Sequence, residues 1–126
     1  MKRQIVVTDA APKAVGPYSQ AVWAGDLLFC AGQIPLEPAT GNIAPGGIAE
    51  QATRVLENIR GLLKSQGLDF ANVVKSTVFL SDMNNFAAMN EVYAKYFTRE
   101  PPARSTVQVA RLPKDALVEI EVVAAR

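Results

Sequence analysis

The sequence contains no histidine. Imidazole-based triads and dyads, His-ligated zinc and His-ligated haem are therefore excluded within this chain. The side chain that most often moves protons near neutral pH is also missing. There is one cysteine, Cys30, so no intrachain disulfide can form, and protein sulfur and nitrogen donors are too few for a transition-metal site. Any catalysis falls to carboxylates, Arg, Lys, Tyr, Ser, Thr, backbone groups or water. Charge of one sign is not in excess: 13 basic and 12 acidic residues leave +1. Nothing advertises the clustered basic patch that nucleic-acid phosphates require. No apolar run approaches the ~20 residues of a membrane span. The N-terminal MKRQIVV is basic, then only briefly apolar before Asp9 and Pro12, and lacks the apolar core of a secretory leader. A cytoplasmic protein without membrane or nucleic-acid partners is the expectation.

The 126 residues, 49% hydrophobic and 20% charged, suit one globular domain over 1–126 with a core that needs neither disulfide nor metal. Residues 2–7 read as a short strand. Ala21–Trp23 and Leu27–Ala31 read as a hairpin around Gly25-Asp26. Residues 35–47, with three prolines and three glycines, read as a loop. From Ile48 to Gln66, Ile48, Ala52, Val55, Leu56, Ile59, Leu62 and Leu63 recur at helical spacing, and Gly67 stands where a helix end favours a left-handed residue. Asn72–Leu80 is β-branched and reads as a strand. A second helix is expected over Asn84–Phe97, with Phe86, Met89, Tyr93 and Tyr96 on its core face and Asp82 or Asn84 as cap. Two strands close the chain. The order β, ββ, α, β, α, ββ predicts an α+β protein: a mixed sheet with two helices on one face. The other face then needs cover, which an oligomer supplies.

The last two strands lie in PPARSTVQVARLPKDALVEIEVV. Alternation puts Arg104, Thr106 and Gln108 on one face, and Ala103, Ser105, Val107 and Val109 on the other. In the final strand Val118, Ile120 and Val122 oppose Glu119 and Glu121. With the apolar sets under the helices, Arg104 and a glutamate project together from neighbouring strands on the uncovered face. Such a face is either solvated, with a weak cross-strand ion pair, or functional, with Arg104 as a bidentate carboxylate clamp and Glu119 orienting a water. Gly16-Pro17 presents Tyr18 rigidly or simply makes a turn. Gly32 ends a strand or lets a ligand approach the backbone. Cys30 reads as a small buried hydrophobe and Lys75 as an outward strand residue rather than a Schiff-base amine. Tyr93, Tyr96 and Phe97 read as core.

VGPYSQAV (15–22), CAGQIP (30–35), NVVKSTVFLSDMNNFAAMNEVYAKYF (72–97) and PPARSTVQVARLPKDALVEIEVVA (101–124) together resemble the RidA, or YjgF-type, family from about Ile5 to Ala124. The resemblance implies a chorismate-mutase-like α+β fold and a homotrimer with three clefts between subunits. It implies hydrolysis of reactive 2-imino acids (2-iminobutanoate, 2-iminopropanoate) or their enamine tautomers, released by pyridoxal-phosphate enzymes, to 2-oxoacids and ammonia, with no cofactor and no metal. Carried over by position, Arg104 holds the substrate carboxylate, Glu119 holds the attacking water, and Tyr18 closes the pocket. Gly32 contributes backbone and Asn90 lies near the cleft. Thr106 stands where many members have cysteine, and Ala31 where many have serine, so a thiol is not essential here and one hydrogen bond to substrate is lost. Two other functions are consistent with such a chain. One is a trimeric small-carboxylate-binding or chaperone-like regulator. The other is an RNA-cleaving translation inhibitor, against which the near-neutral charge and absent histidine speak.

Overall fold

The computed structural model describes residues 2–126. Six strands and two α-helices follow in the expected order: β1 (Arg3–Val6), β2 (Ala21–Ala24), β3 (Leu27–Cys30), α1 (Ile48–Ser65), β4 (Val73–Leu80), α2 (Phe86–Tyr96), β5 (Ala103–Gln108) and β6 (Val118–Ala125). Among the described residues no helix is long and apolar enough to cross a membrane.

The local signals act as read. The apolar stripe of α1 is buried, with Ala52, Val55, Leu56, Ile59, Leu62 and Leu63 all sealed from solvent. Glu50 accepts a hydrogen bond from the Gly47 N–H at 2.7 Å and so satisfies a donor at the helix start. At the other end Gly67 takes φ +73°, its N–H reaches Lys64 O, and the Leu68 N–H reaches Leu63 O. This paired closure uses the last carbonyls and needs a residue without a Cβ penalty. Asp82 caps a single 3₁₀ turn (Met83–Asn85) rather than the helix itself, so α2 begins two residues later than expected. On α2, Met89, Val92 and Tyr93 are buried, whereas Phe86 and Tyr96 only pack against the rim of the core.

The sheet order is β1-β2-β3-β6-β4-β5, antiparallel except for the parallel β4–β5 pair. Both helices cover one face. Val118, Ile120, Val122 and Ala124 of β6 meet Val78 and Leu80 of β4, Leu28 of β3 and the α1 stripe in a single core. The opposite face carries exposed Ile5 (49%), Phe29 (46%) and Val107 (44%), an apolar surface without cover in one chain.

Two expectations about the last strands are overturned. β5 and β6 are not neighbours, because β4 lies between them. A strand whose helix-side positions are all aliphatic takes the centre, and β6 is such a strand. β5, polar at alternate positions, is left at the edge. The face of β5 is also inverted. Arg104 aligns with fully buried Ser76 and Thr106 with fully buried Val78, so both lie on the helix-covered side. Ser105 and Val107 lie on the open side. Glu119, between buried Val118 and Ile120 and opposite Phe79, faces the open side as expected.

Candidate active site

Arg104 sits beneath α2. Its guanidinium carbon lies 4.7 Å from the centre of the Tyr93 ring and 5.7 Å from that of Phe86. The Tyr93 hydroxyl is 2.6 Å from Ser76 Oγ. Burial pushes the phenol up from its ordinary value, against the smaller opposing effects of Ser76 and Arg104. The phenol is neutral, and the guanidinium rests against the two rings as a cation–π contact. Among the described residues no carboxylate pairs with Arg104. It lines a hollow of about 410 Å³ with Asn90, Ala94, Phe97, Pro101 and Pro102. Asn90 Oδ1 and Thr106 Oγ1 are buried without a hydrogen-bond partner. Such atoms are rare in a native chain.

Glu119 lines a second, larger cleft of about 430 Å³ with Tyr18, Ala31, Gly32 and loop residues including Pro12 and Lys114. Burial, and then the negative charge of Glu121 two residues on, hold the Glu119 carboxyl above its ordinary value. Gly32 abuts this carboxylate so closely that a Cβ would overlap Glu119 Oε2. The missing Cβ lets the carboxylate come this close, and no unusual φ is involved. Gly32→Ala is therefore expected to displace the carboxylate and lower kcat about tenfold or more, with a much smaller effect on melting temperature; parallel turnover and thermal-melt measurements check it. Tyr18 is 51% exposed, and its hydroxyl accepts from the Val15 N–H at 3.2 Å, which leaves the phenolic proton free to donate.

The seven residues singled out from the sequence thus fall into two groups. Tyr18, Ala31, Gly32 and Glu119 share one cleft, while Asn90, Thr106 and Arg104 cluster on the other side of the sheet. No single chain brings Arg104 and Glu119 together. The remaining candidates behave as structural residues. Burial raises the Cys30 thiol to about 12, so it is inert as a nucleophile at neutral pH. Lys75 Nζ donates to Ser105 Oγ at 3.1 Å on the open face. Tyr93 and Phe97 stack at 4.3 Å.

Sequence reading missed the aromatic seat of Arg104. The spacing of Phe86, Asn90 and Tyr93 on one helical face was the available signal. It also missed buried Gln20. The Gln20 amide accepts from Thr8 N–H (2.8 Å) and donates to Thr8 O (2.9 Å), Ala11 O (3.3 Å) and Pro12 O (2.8 Å), holding one wall of the Glu119 cleft.

A family model described as Endoribonuclease L-PSP matches residues 8–126. The chain belongs to this family. The RidA resemblance drawn from the sequence therefore stands, and this endoribonuclease L-PSP family chain has close relatives of several names. It is 54% identical to a RutC family protein of Pyrococcus horikoshii over 97% of each chain. It is 50% identical to a Bos taurus protein named 2-iminobutanoate/2-iminopropanoate deaminase, over 97% of this chain and 89% of that one. Among solved structures, Escherichia coli TdcF with bound serine superposes with a TM-score of 0.93 at 46% identity, covering 98% of each chain. The family fold is the mixed α+β arrangement described above.

Proposed function

We propose that the protein hydrolyses reactive 2-imino acids, with 2-iminobutanoate and 2-iminopropanoate as its small substrates, at sites completed between copies of the chain in a homotrimer. The observation that carries this reading is the division of the chemistry. An arginine without a carboxylate partner among the described residues lies on one side of the sheet, and a half-buried glutamate with a raised pKa lies on the other, next to an uncovered apolar face. Burying that face against a second copy covers Ile5, Phe29 and Val107 and can bring one chain's Arg104 to another's Glu119. The curated name of the bovine relative and the amino acid bound to TdcF support a small amino- or imino-carboxylate ligand.

In this reading the Arg104 fork binds the C1 carboxylate, the group that substrate and product share. Asn90 lines the same hollow and flanks the bound acid, and Thr106 follows Arg104 on the same face of β5. Glu119 takes a proton from water as the oxygen adds to C2, and the C=N π electrons move to nitrogen. Glu119 returns that proton to the carbinolamine nitrogen and then accepts the C2 hydroxyl proton as the C–N bond breaks; the departing ammonia takes this last proton from Glu119 and leaves as ammonium. Water and the iminium acid are consumed; 2-oxoacid and ammonium are formed. Substrate that arrives as the enamine is first protonated at C3. Tyr18 donates to the departing nitrogen or to water. The iminium is already an electrophile, so positioning and one base suffice.

Because Glu119 works deprotonated, the rate falls as pH drops through its raised pKa. Glu121→Gln removes the neighbouring negative charge and lets the carboxyl ionise more easily. The acid limb of the kcat profile is expected to move to lower pH; an unmoved limb would remove Glu119 from the role of base. The reading itself is tested by adding purified protein to a threonine dehydratase reaction containing semicarbazide. Less trapped imine and faster ammonia release are expected. Binding of 2-oxobutanoate without any rate enhancement would reduce the protein to a small-carboxylate-binding module. RNA cleavage that survives further purification, without imine hydrolysis, would overturn the reading altogether.

A further inference from the structure

Asn58 is the one polar side chain that is completely buried among the aliphatic residues of α1, flanked by Val55, Ile59 and Leu62. Leucine is the better helix former at such a position and carries no amide to satisfy. The amide is nevertheless fully engaged. Asn58 Nδ2 donates to Leu36 O at 2.8 Å and to Ile34 O at 3.4 Å, and Oδ1 accepts from Arg54 Nε at 3.2 Å.

The carbonyls it holds belong to the segment that leaves β3 beside Glu119. That segment has almost no ladder of its own. Gln33 exchanges backbone hydrogen bonds with Ile120 at 2.8 and 3.1 Å, and the Ala44 N–H reaches Pro35 O at 2.8 Å. Gly32, one residue before Gln33, touches the Glu119 carboxylate. Ile34 and Leu36 line the same cleft. We propose that Asn58 is a positioning residue: through Ile34 and Leu36 it presses the Gly32–Leu36 wall against Glu119 and so fixes the orientation and burial of the catalytic carboxylate. This rests on the reading of Glu119 as the base. Asn58 touches neither the cleft nor any substrate.

The test compares Asn58→Leu with Leu63→Ala, a buried change near the far end of α1, in the full chain. Asn58→Leu is expected to lower kcat about tenfold or more per folded molecule with a much smaller change in KM, because the carboxylate clamp is elsewhere. The acid limb should move to lower pH, since a loosened wall exposes Glu119 and burial is the main cause of its raised pKa. Amide hydrogen exchange at Gln33 and Ala44 should quicken more than in Leu63→Ala. If kcat and the acid limb of Asn58→Leu match those of Leu63→Ala, whatever the melting temperatures, Asn58 is only a core residue and the proposal fails. Where Asn58→Leu does not fold, Asn58→Ser is read against the same control. Were the wild type to hydrolyse no imine, the catalytic reading would fall. Exchange at Gln33 and Ala44 would then decide alone whether Asn58 locks the wall.

Discussion

Arg104→Ala is expected to lower kcat/KM for 2-iminobutanoate by about 10²–10⁴-fold, the loss of a bidentate, charge-assisted clamp on a carboxylate. The melting temperature should shift by only about 2 °C, because Arg104 has no carboxylate partner among the described residues and its contacts are the faces of Tyr93 and Phe86. Arg104→Lys keeps the charge but not the planar fork, and an intermediate loss follows. The measurement is the dehydratase-coupled ammonia assay together with a thermal melt. Wild-type turnover by Arg104→Ala would refute the clamp. A large loss of stability would mean that the arginine is a structural part of the core and not a binding group held open.

Co-assembly of two inactive chains gives the second large effect. Arg104→Ala retains Glu119, and Glu119→Gln retains Arg104. Each alone is expected to be nearly inert. In oligomers formed by co-expression, a site that takes Arg104 from one copy and Glu119 from the next finds both intact in about a quarter of cases, for equal random mixing around a ring. Activity should therefore return to about one quarter of the wild-type level. The expectation follows from the sheet: β4 separates β5 from β6, and the two side chains leave the sheet on opposite sides. A site within one chain would show no recovery, and absence of recovery in verified mixed oligomers would rule out the shared site.

The glutamate half of the site was the more legible in the sequence. Glu119 alternates with Val118 and Ile120, a pattern that can be satisfied only with the carboxylate turned away from the core. Arg104 was legible as a residue but not as a position. Its strand alternates between polar residues and small or aliphatic ones with nearly equal claims on either face. The same rule that oriented β6 correctly thus turned β5 the wrong way. The deciding partners are Tyr93 and Phe86, which offer the guanidinium a ring face from another element, and one strand's alternation carries no record of them. The cleft walls were least legible. Gln20 and Asn58 look like an ordinary polar residue before a strand and a blemish on an apolar helix face, because hydrogen bonds to loop carbonyls leave no periodic trace.

By itself the sequence determined the catalogue of possible chemistry, since the absence of histidine and the single cysteine leave carboxylates, Arg, Lys, hydroxyl groups, backbone and water. It also determined the local elements, because hydrophobic spacing, Gly67 and the prolines act over a few residues. The three-dimensional structure alone decided which strands are neighbours and which face each candidate residue shares. Those are settled by competition among all strands for burial against α1 and α2. The placement of β6 at the centre and β5 at the edge is what divides Arg104 from Glu119.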